Sequence, residues 1–118
     1  MIKIAIFASG SGSNAENIAN YFAESNTVSI PLIISNKKDA YVHERAKKLG
    51  IQSVTFSKNE FETSDNVLDC LKENKIDFIV LAGFLLKVPH NILEAYPGKI
   101  VNIHPALLPK FGGKGMYG

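Results

Sequence analysis

Tryptophan is absent from this sequence, cysteine occurs once and methionine twice. A lone Cys70 cannot close an internal disulfide and suits a reducing compartment. No apolar run approaches membrane-spanning length. The opening Met1-Ile2-Lys3-Ile4-Ala5-Ile6-Phe7 is too short for the apolar core of a signal peptide and runs straight into glycines, so the expected location is the cytoplasm. Charge of one sign is scarce too: the formal net charge is +2 and the lysines are scattered. No basic block or basic-aromatic stripe argues for a nucleic-acid partner. The histidines have no metal-ligand spacing and Cys70 has no nearby partner, so no metal is expected. What is present is ordinary for a globular domain: 118 residues, 46% hydrophobic and 20% charged. That length suits one domain, residues 1–118, and hardly two.

Apolar runs alternate with helical patterns along the chain. Ile2 to Ala8, Val28 to Ile34, Ile51 to Phe56, Phe78 to Ala82 and Ile100 to Ile103 read as strands. Pro31 weakens the second of these, because it removes a ladder donor. Ala15, Ile18, Ala19 and Phe22 recur at helical spacing; so do Val42, Ala46 and Leu49, stopped by Gly50. Asn59 to Asn74 reads as one helix with Phe61, Val67, Leu68 and Leu71 inward. Pro89 opens a last helix whose core face carries Ile92, Leu93 and Tyr96. This alternation predicts an α/β fold: a doubly wound, Rossmann-like, mostly parallel sheet in the order 3-2-1-4-5. After His104-Pro105 nothing caps a domain, and an uncovered strand would remain at the sheet edge. The expectation is therefore a chain truncated at its C-terminus, with an edge open to association such as a homodimer.

Ser9-Gly10-Ser11-Gly12-Ser13-Asn14-Ala15 lies between the first strand and the first helix. Small residues let backbone approach a ligand, and a helix N-terminus supplies free N–H groups. The spacing also satisfies the dinucleotide pattern G-x-G-x-x-A. A dinucleotide site wants an acid after the second strand, where Ser35-Asn36-Lys37-Lys38 stands instead. Asp39 comes too late and suits a cap for the next helix. The loop is read as a phosphate site at Gly12, Ser13 and Asn14; the bland reading is a tight turn without a ligand.

Asn102-Ile103-His104-Pro105 ends the fifth strand. Period-2 alternation projects Asn102 and His104 together and Ile103 to the other layer. Carboxyl ends of parallel strands are where open α/β folds bind ligands. Histidine moves protons near neutral pH, and an amide can donate to an oxyanion. Cys70 falls within a helix away from that edge, so direct acyl transfer to an amine fits better than a covalent intermediate. His43 is expected to be solvated, and His90 to cap a helix or stand exposed.

Taken together, Ala8 to Asn14, Leu81-Ala82-Gly83-Phe84 and Asn102 to Phe111 closely resemble the phosphoribosylglycinamide formyltransferase family, and the similarity runs over the whole chain. The resemblance implies transfer of the formyl group of the co-substrate 10-formyltetrahydrofolate to the amine of glycinamide ribonucleotide, in purine biosynthesis. It implies phosphate binding at Gly12, Ser13 and Asn14, and folate contacts at Leu85, Leu86, Lys87, Val88 and Asn102. It also implies that His104 is the proton donor and that Asn102 stabilises the tetrahedral oxyanion. Two features depart from the family. Its aspartate a few dozen residues past the histidine would lie beyond Gly118, which puts activity of these 118 residues alone in doubt. Its arginine near the folate tail has no counterpart in Phe61-Glu62-Thr63-Ser64-Asp65. Alternatives are methionyl-tRNA formyltransferase, formyltetrahydrofolate deformylase and a non-catalytic nucleotide-binding module.

Overall fold

Side-chain alternation along the strands sorts the apolar residues into two cores, one on each face of a single sheet. The computed structural model describes residues 1–103. The elements are β1 (Ile2–Phe7), α1 (Ser13–Tyr21), β2 (Val28–Ser35), α2 (Val42–Leu49), β3 (Gln52–Thr55), α3 (Lys58–Thr63), α4 (Asn66–Glu73), β4 (Phe78–Ala82), α5 (His90–Ala95) and β5 (Ile100–Ile103). The strands pair in the order β3-β2-β1-β4-β5, and every pairing is parallel. This is the predicted doubly wound order.

On one face Ala5, Phe7, Leu32, Ile34 and Ile79 pack under α3, α4 and α5 through Phe61, Val67, Leu71, Ile92 and Tyr96. On the other, Ile4, Ile6, Ala8, Ile33, Val80 and Ala82 pack under α1 and α2 through Ala15, Val42 and Ala46. Burial on both faces explains why β1 reads as a continuous apolar run rather than an alternating one.

Pro31 is accommodated by two local features. Lys3 pairs with Ser29 and Ala5 with Leu32, so β2 holds one extra residue there. Pro31 falls in that bulge, and β3 pairs only from Leu32 onward. No ladder donor is therefore missed. The bulge also switches the parity of β2. Val28 and Ile30 share a core with Ile33, while Leu32 and Ile34 face the other way.

Residues 59–74 form two helices rather than the single predicted one. Six residues along one straight helix would set Phe61 and Val67 roughly 120° apart. The break at Ser64 lets both face the same core. Ser64 is extended, its hydroxyl donates to Glu60 O at 2.8 Å, and it accepts from Asn66 N at 3.2 Å. A hydroxyl that offers the backbone such partners competes with helix continuation. Leu93 is also corrected: it stands 47% exposed, while Ile92 is fully buried. Asp39 caps nothing. Tyr41 is the N-cap of α2, and no side chain bonds there. Gly50 does end α2, at φ 74°. No helix among the described residues is long and apolar enough to cross a membrane.

Candidate active site

Chain connections leave β1 toward one face and β4 toward the other, so a crevice opens at the carboxyl ends of these two neighbouring strands. The loop after β1 forms one wall. Three successive carbonyls of it are engaged: Gly10 O accepts from Val42 N at 3.1 Å, Ser11 O from Arg45 Nε at 2.6 Å, and Gly12 O from Glu16 N at 2.9 Å. Gly12 is the N-cap of α1 at φ 77°, ψ 16°, with no capping side chain. A first helical turn has no internal acceptor for its leading amides. Those of Ser13, Asn14 and Ala15 consequently face no acceptor among the described residues. Ser13 is exposed and Asn14 half-buried. Donors left over and acceptors withdrawn make a surface suited to an anion.

Only glycine fits at position 12. A Cβ there would lie 2.6 Å from Val42 Cβ and 2.8 Å from Val42 Cα. The loop is thus clamped directly onto the start of α2. Ala15, 1% exposed, packs in the same core as Val42. The third small position of the G-x-G-x-x-A pattern therefore serves helix-to-sheet packing. At the end of β2, where a dinucleotide site needs an acid, stands Asn36.

Asn36 has a different task. Ser9 is 3% exposed, and its hydroxyl donates to Asn36 Oδ1 at 2.6 Å while accepting from Leu85 N at 2.8 Å. Ser9 N also donates to Gly83 O at 3.2 Å. One small side chain thereby joins the segments after β1, β2 and β4, the three loops around the crevice. In the sequence Ser9 is one member of a glycine loop, and the signal for its bridging role is a polar residue directly following an apolar strand. Ser9→Ala should lower unfolding stability by about 1–3 kcal/mol, the scale for stranding buried polar groups. Urea unfolding of the variant against the parent measures it, and an unchanged midpoint would refute the bridging role.

After β4 the chain alternates. Phe84, Leu86 and Val88 turn inward against the core, whereas Leu85 (75% exposed) and Lys87 face out. Phe84 is held edge-on to Phe7, with ring centroids 5.2 Å apart, and tilted against Phe61 at 5.2 Å. Aromatic contacts of this kind add about 0.5–1.5 kcal/mol each beyond burial. The four expected folate-contact positions thus form one strip with two outward members, Leu85 and Lys87, and two packed on the core, Leu86 and Val88.

Asn102 lies on β5 opposite Leu81 of β4, one residue from the strand's end, and is exposed. Ile103 enters the α1–α2 core and Ile100 the opposite one. By alternation Asn102 shares the face of Ile100, which is also the face of Phe84, Leu86 and Val88. The sequence-predicted separation of Asn102 from Ile103 is observed. His104 lies outside the described residues.

His43 is not solvated as expected. It is half-buried, with Nδ1 2.8 Å from Ser53 Oγ and Nε2 3.1 Å from Lys37 O and 2.9 Å from Thr55 Oγ1. These contacts hold α2 to β3 and to the loop after β2. His90 is exposed beside Glu94 at 3.2 Å. Burial, then the charge of Glu73, pushes the Cys70 thiol up, which disfavours a thiolate nucleophile. Among the described residues no group of His, Cys, Asp and Glu could hold a metal. A cavity of about 450 Å³ bounded by Met1, Asn20, Val28, Lys48 and Ile51 lies at the opposite, amino edge of the sheet.

Comparison with known proteins matches residues 2–117 to the family model described as formyl transferase. The chain is 41% identical over 98% of its length to the chloroplastic phosphoribosylglycinamide formyltransferase of Arabidopsis thaliana, of which it covers 42%. It is 39% identical over 96% of its length to the phosphoribosylglycinamide formyltransferase of Bacillus subtilis, of which it covers 60%. Among solved structures, glycinamide ribonucleotide transformylase 1 of Geobacillus kaustophilus superposes with a TM-score of 0.82 at 36% identity, covering 98% of this chain and 64% of that one. The chain thus spans about half the length of the curated relatives it matches.

Proposed function

The chain belongs to the formyl transferase family, and we propose that it acts in transfer of the formyl group of 10-formyltetrahydrofolate to the amine of glycinamide ribonucleotide. The observation that carries this reading is the Ser9 bridge, which joins the segments after β1, β2 and β4 at one edge of the sheet. The amides at the start of α1, without an acceptor among the described residues, lie at the carboxyl edge of the sheet, as do Asn102 and the strip after β4.

In this reading the amides of Ser13 and Asn14, with their side chains, hold the ribonucleotide phosphate, and Gly12 lets the backbone come close. The phosphate anchors one end of the substrate, so its amine is delivered toward the ends of β4 and β5. Leu85, Leu86, Lys87 and Val88 line the folate side, with Leu85 supplying exposed apolar area. The amine attacks the formyl carbon directly. Charge then develops on the formyl oxygen, where the Asn102 amide donates to it. His104 moves the proton that lets the folate nitrogen leave. The co-substrate carries the one-carbon unit and no metal is required. A cytoplasmic setting agrees with a lone, half-buried Cys70.

The deciding experiment is a formyl-transfer assay with both substrates, run on the full-length protein. Formylated ribonucleotide and tetrahydrofolate in equal amounts are expected. Formate released without formylated product would replace this reading by hydrolysis. Leu85→Ser tests the folate side. Exposed at 75%, this side chain should be replaceable within about 0.5 kcal/mol of stability. The KM for the folate should rise about tenfold, the scale of a buried leucine side chain lost from a contact. An unchanged folate KM would remove Leu85 from the pocket.

A further inference from the structure

Anion binding at the start of α1 meets an obstacle within the helix. Glu16 sits in its first turn, where the partial positive charge that should attract a phosphate is already shared with a carboxylate. Arg45, reaching over from α2, pairs with Glu16 through its terminal nitrogen. The same guanidinium donates from Nε to Ser11 O at 2.6 Å. Its Cζ stands 5.0 Å from the centre of the ring of Tyr41, the N-cap residue one turn earlier. Both Arg45 and Glu16 are partly buried, with side chains 27% and 33% exposed, so the pair is screened less than a surface one.

We propose that Arg45 is a positioning residue for the phosphate-bearing substrate: it withdraws the Ser11 carbonyl from the loop mouth and neutralises Glu16 beside the open amides. The inference rests on the phosphate reading of the loop. Its chemistry requires a fork. One planar guanidinium reaches a backbone carbonyl and a carboxylate at once, which a lysine ammonium does with far less geometric definition. Without Arg45 the Glu16 charge would repel a phosphate dianion, and Ser11 O would be released to face it.

The test is calorimetric titration of ribose 5-phosphate into the full-length protein and three variants, each checked for folding by circular dichroism and thermal melting. Arg45→Ala should bind about tenfold more weakly, the scale of one lost hydrogen bond to a charged group. Glu16→Gln should bind at least as well as the parent, and the double variant should recover most of the Arg45→Ala loss. Arg45→Lys, which keeps the charge but not the fork, should fall between parent and Arg45→Ala. In the transfer assay the Arg45→Ala change should appear in the KM of the ribonucleotide rather than in kcat. A folded Arg45→Ala protein that binds like the parent overturns the proposal, and so does a double variant no better than Arg45→Ala. A parent that does not bind ribose 5-phosphate overturns the loop assignment itself, and this inference with it.

Discussion

His104→Ala in the full-length protein should lower kcat by roughly 10²–10⁴-fold, the usual range for loss of a general acid or base. Asn102→Ala should lower it by about 10²–10³-fold, as for loss of one oxyanion donor. Binding of both substrates should survive in each variant, because the proposed mechanism assigns the phosphate end to α1 and the folate to the strip after β4. The double variant should be much less than multiplicatively worse, because the two groups serve one transition state. Single-turnover formyl transfer gives the chemical step directly. If either alanine variant turns over like the parent, the direct-attack mechanism assigned to this pair is wrong.

Gly12→Val should be the most damaging change on the substrate side. Two costs add. A β-branched residue at φ 77° bears about 1–2 kcal/mol of left-handed strain, and forcing atoms into an occupied core costs about 1–3 kcal/mol more. The obstructing atoms include Val42 Cα, at 2.8 Å from the added Cβ, so relief requires α2 to retreat. Retreat lengthens the bond from Val42 N to Gly10 O and loosens the loop. The KM for the ribonucleotide should therefore rise roughly 10–100-fold, the scale of losing one or two hydrogen bonds to a charged ligand. The KM for the folate should hold, because Phe84 and Leu86 are anchored to a core on the other face of the sheet. Kinetics at low temperature, paired with a melting curve, separate the fraction unfolded from the affinity of what remains. Equal rises in both KM values would sink the assignment of this loop to the phosphate.

Much of this arrangement was legible in local pattern. Strand and helix periods are properties of a few consecutive side chains, and Gly50 and Pro89 punctuate them locally. The strands β4 and β5 were read to their last residue, and a right-handed parallel topology leaves little choice once the alternation is known. Asn102 and Gly12 could be picked out because a strand's end and a helix's start are local features as well. The break at Ser64 was missed because the Phe61 to Val67 spacing looks helical until both side chains are required on one face. Partners far apart in sequence were decided by the tertiary structure alone. Ser9 meets Leu85 across 76 positions, and Arg45 meets Ser11 across 34. His43 finds Ser53 and Thr55 only because α2 lies over β3, and Pro31 is harmless only because β1 and β2 pair with a bulge. Sequence by itself thus determined the strands, the helices apart from the division of residues 59–74, their order, and the chemistry offered at their ends. Only the packed sheet decided which buried hydrogen bonds join those ends into one crevice, because a hydroxyl or guanidinium withdrawn from water must find a partner wherever the fold supplies one.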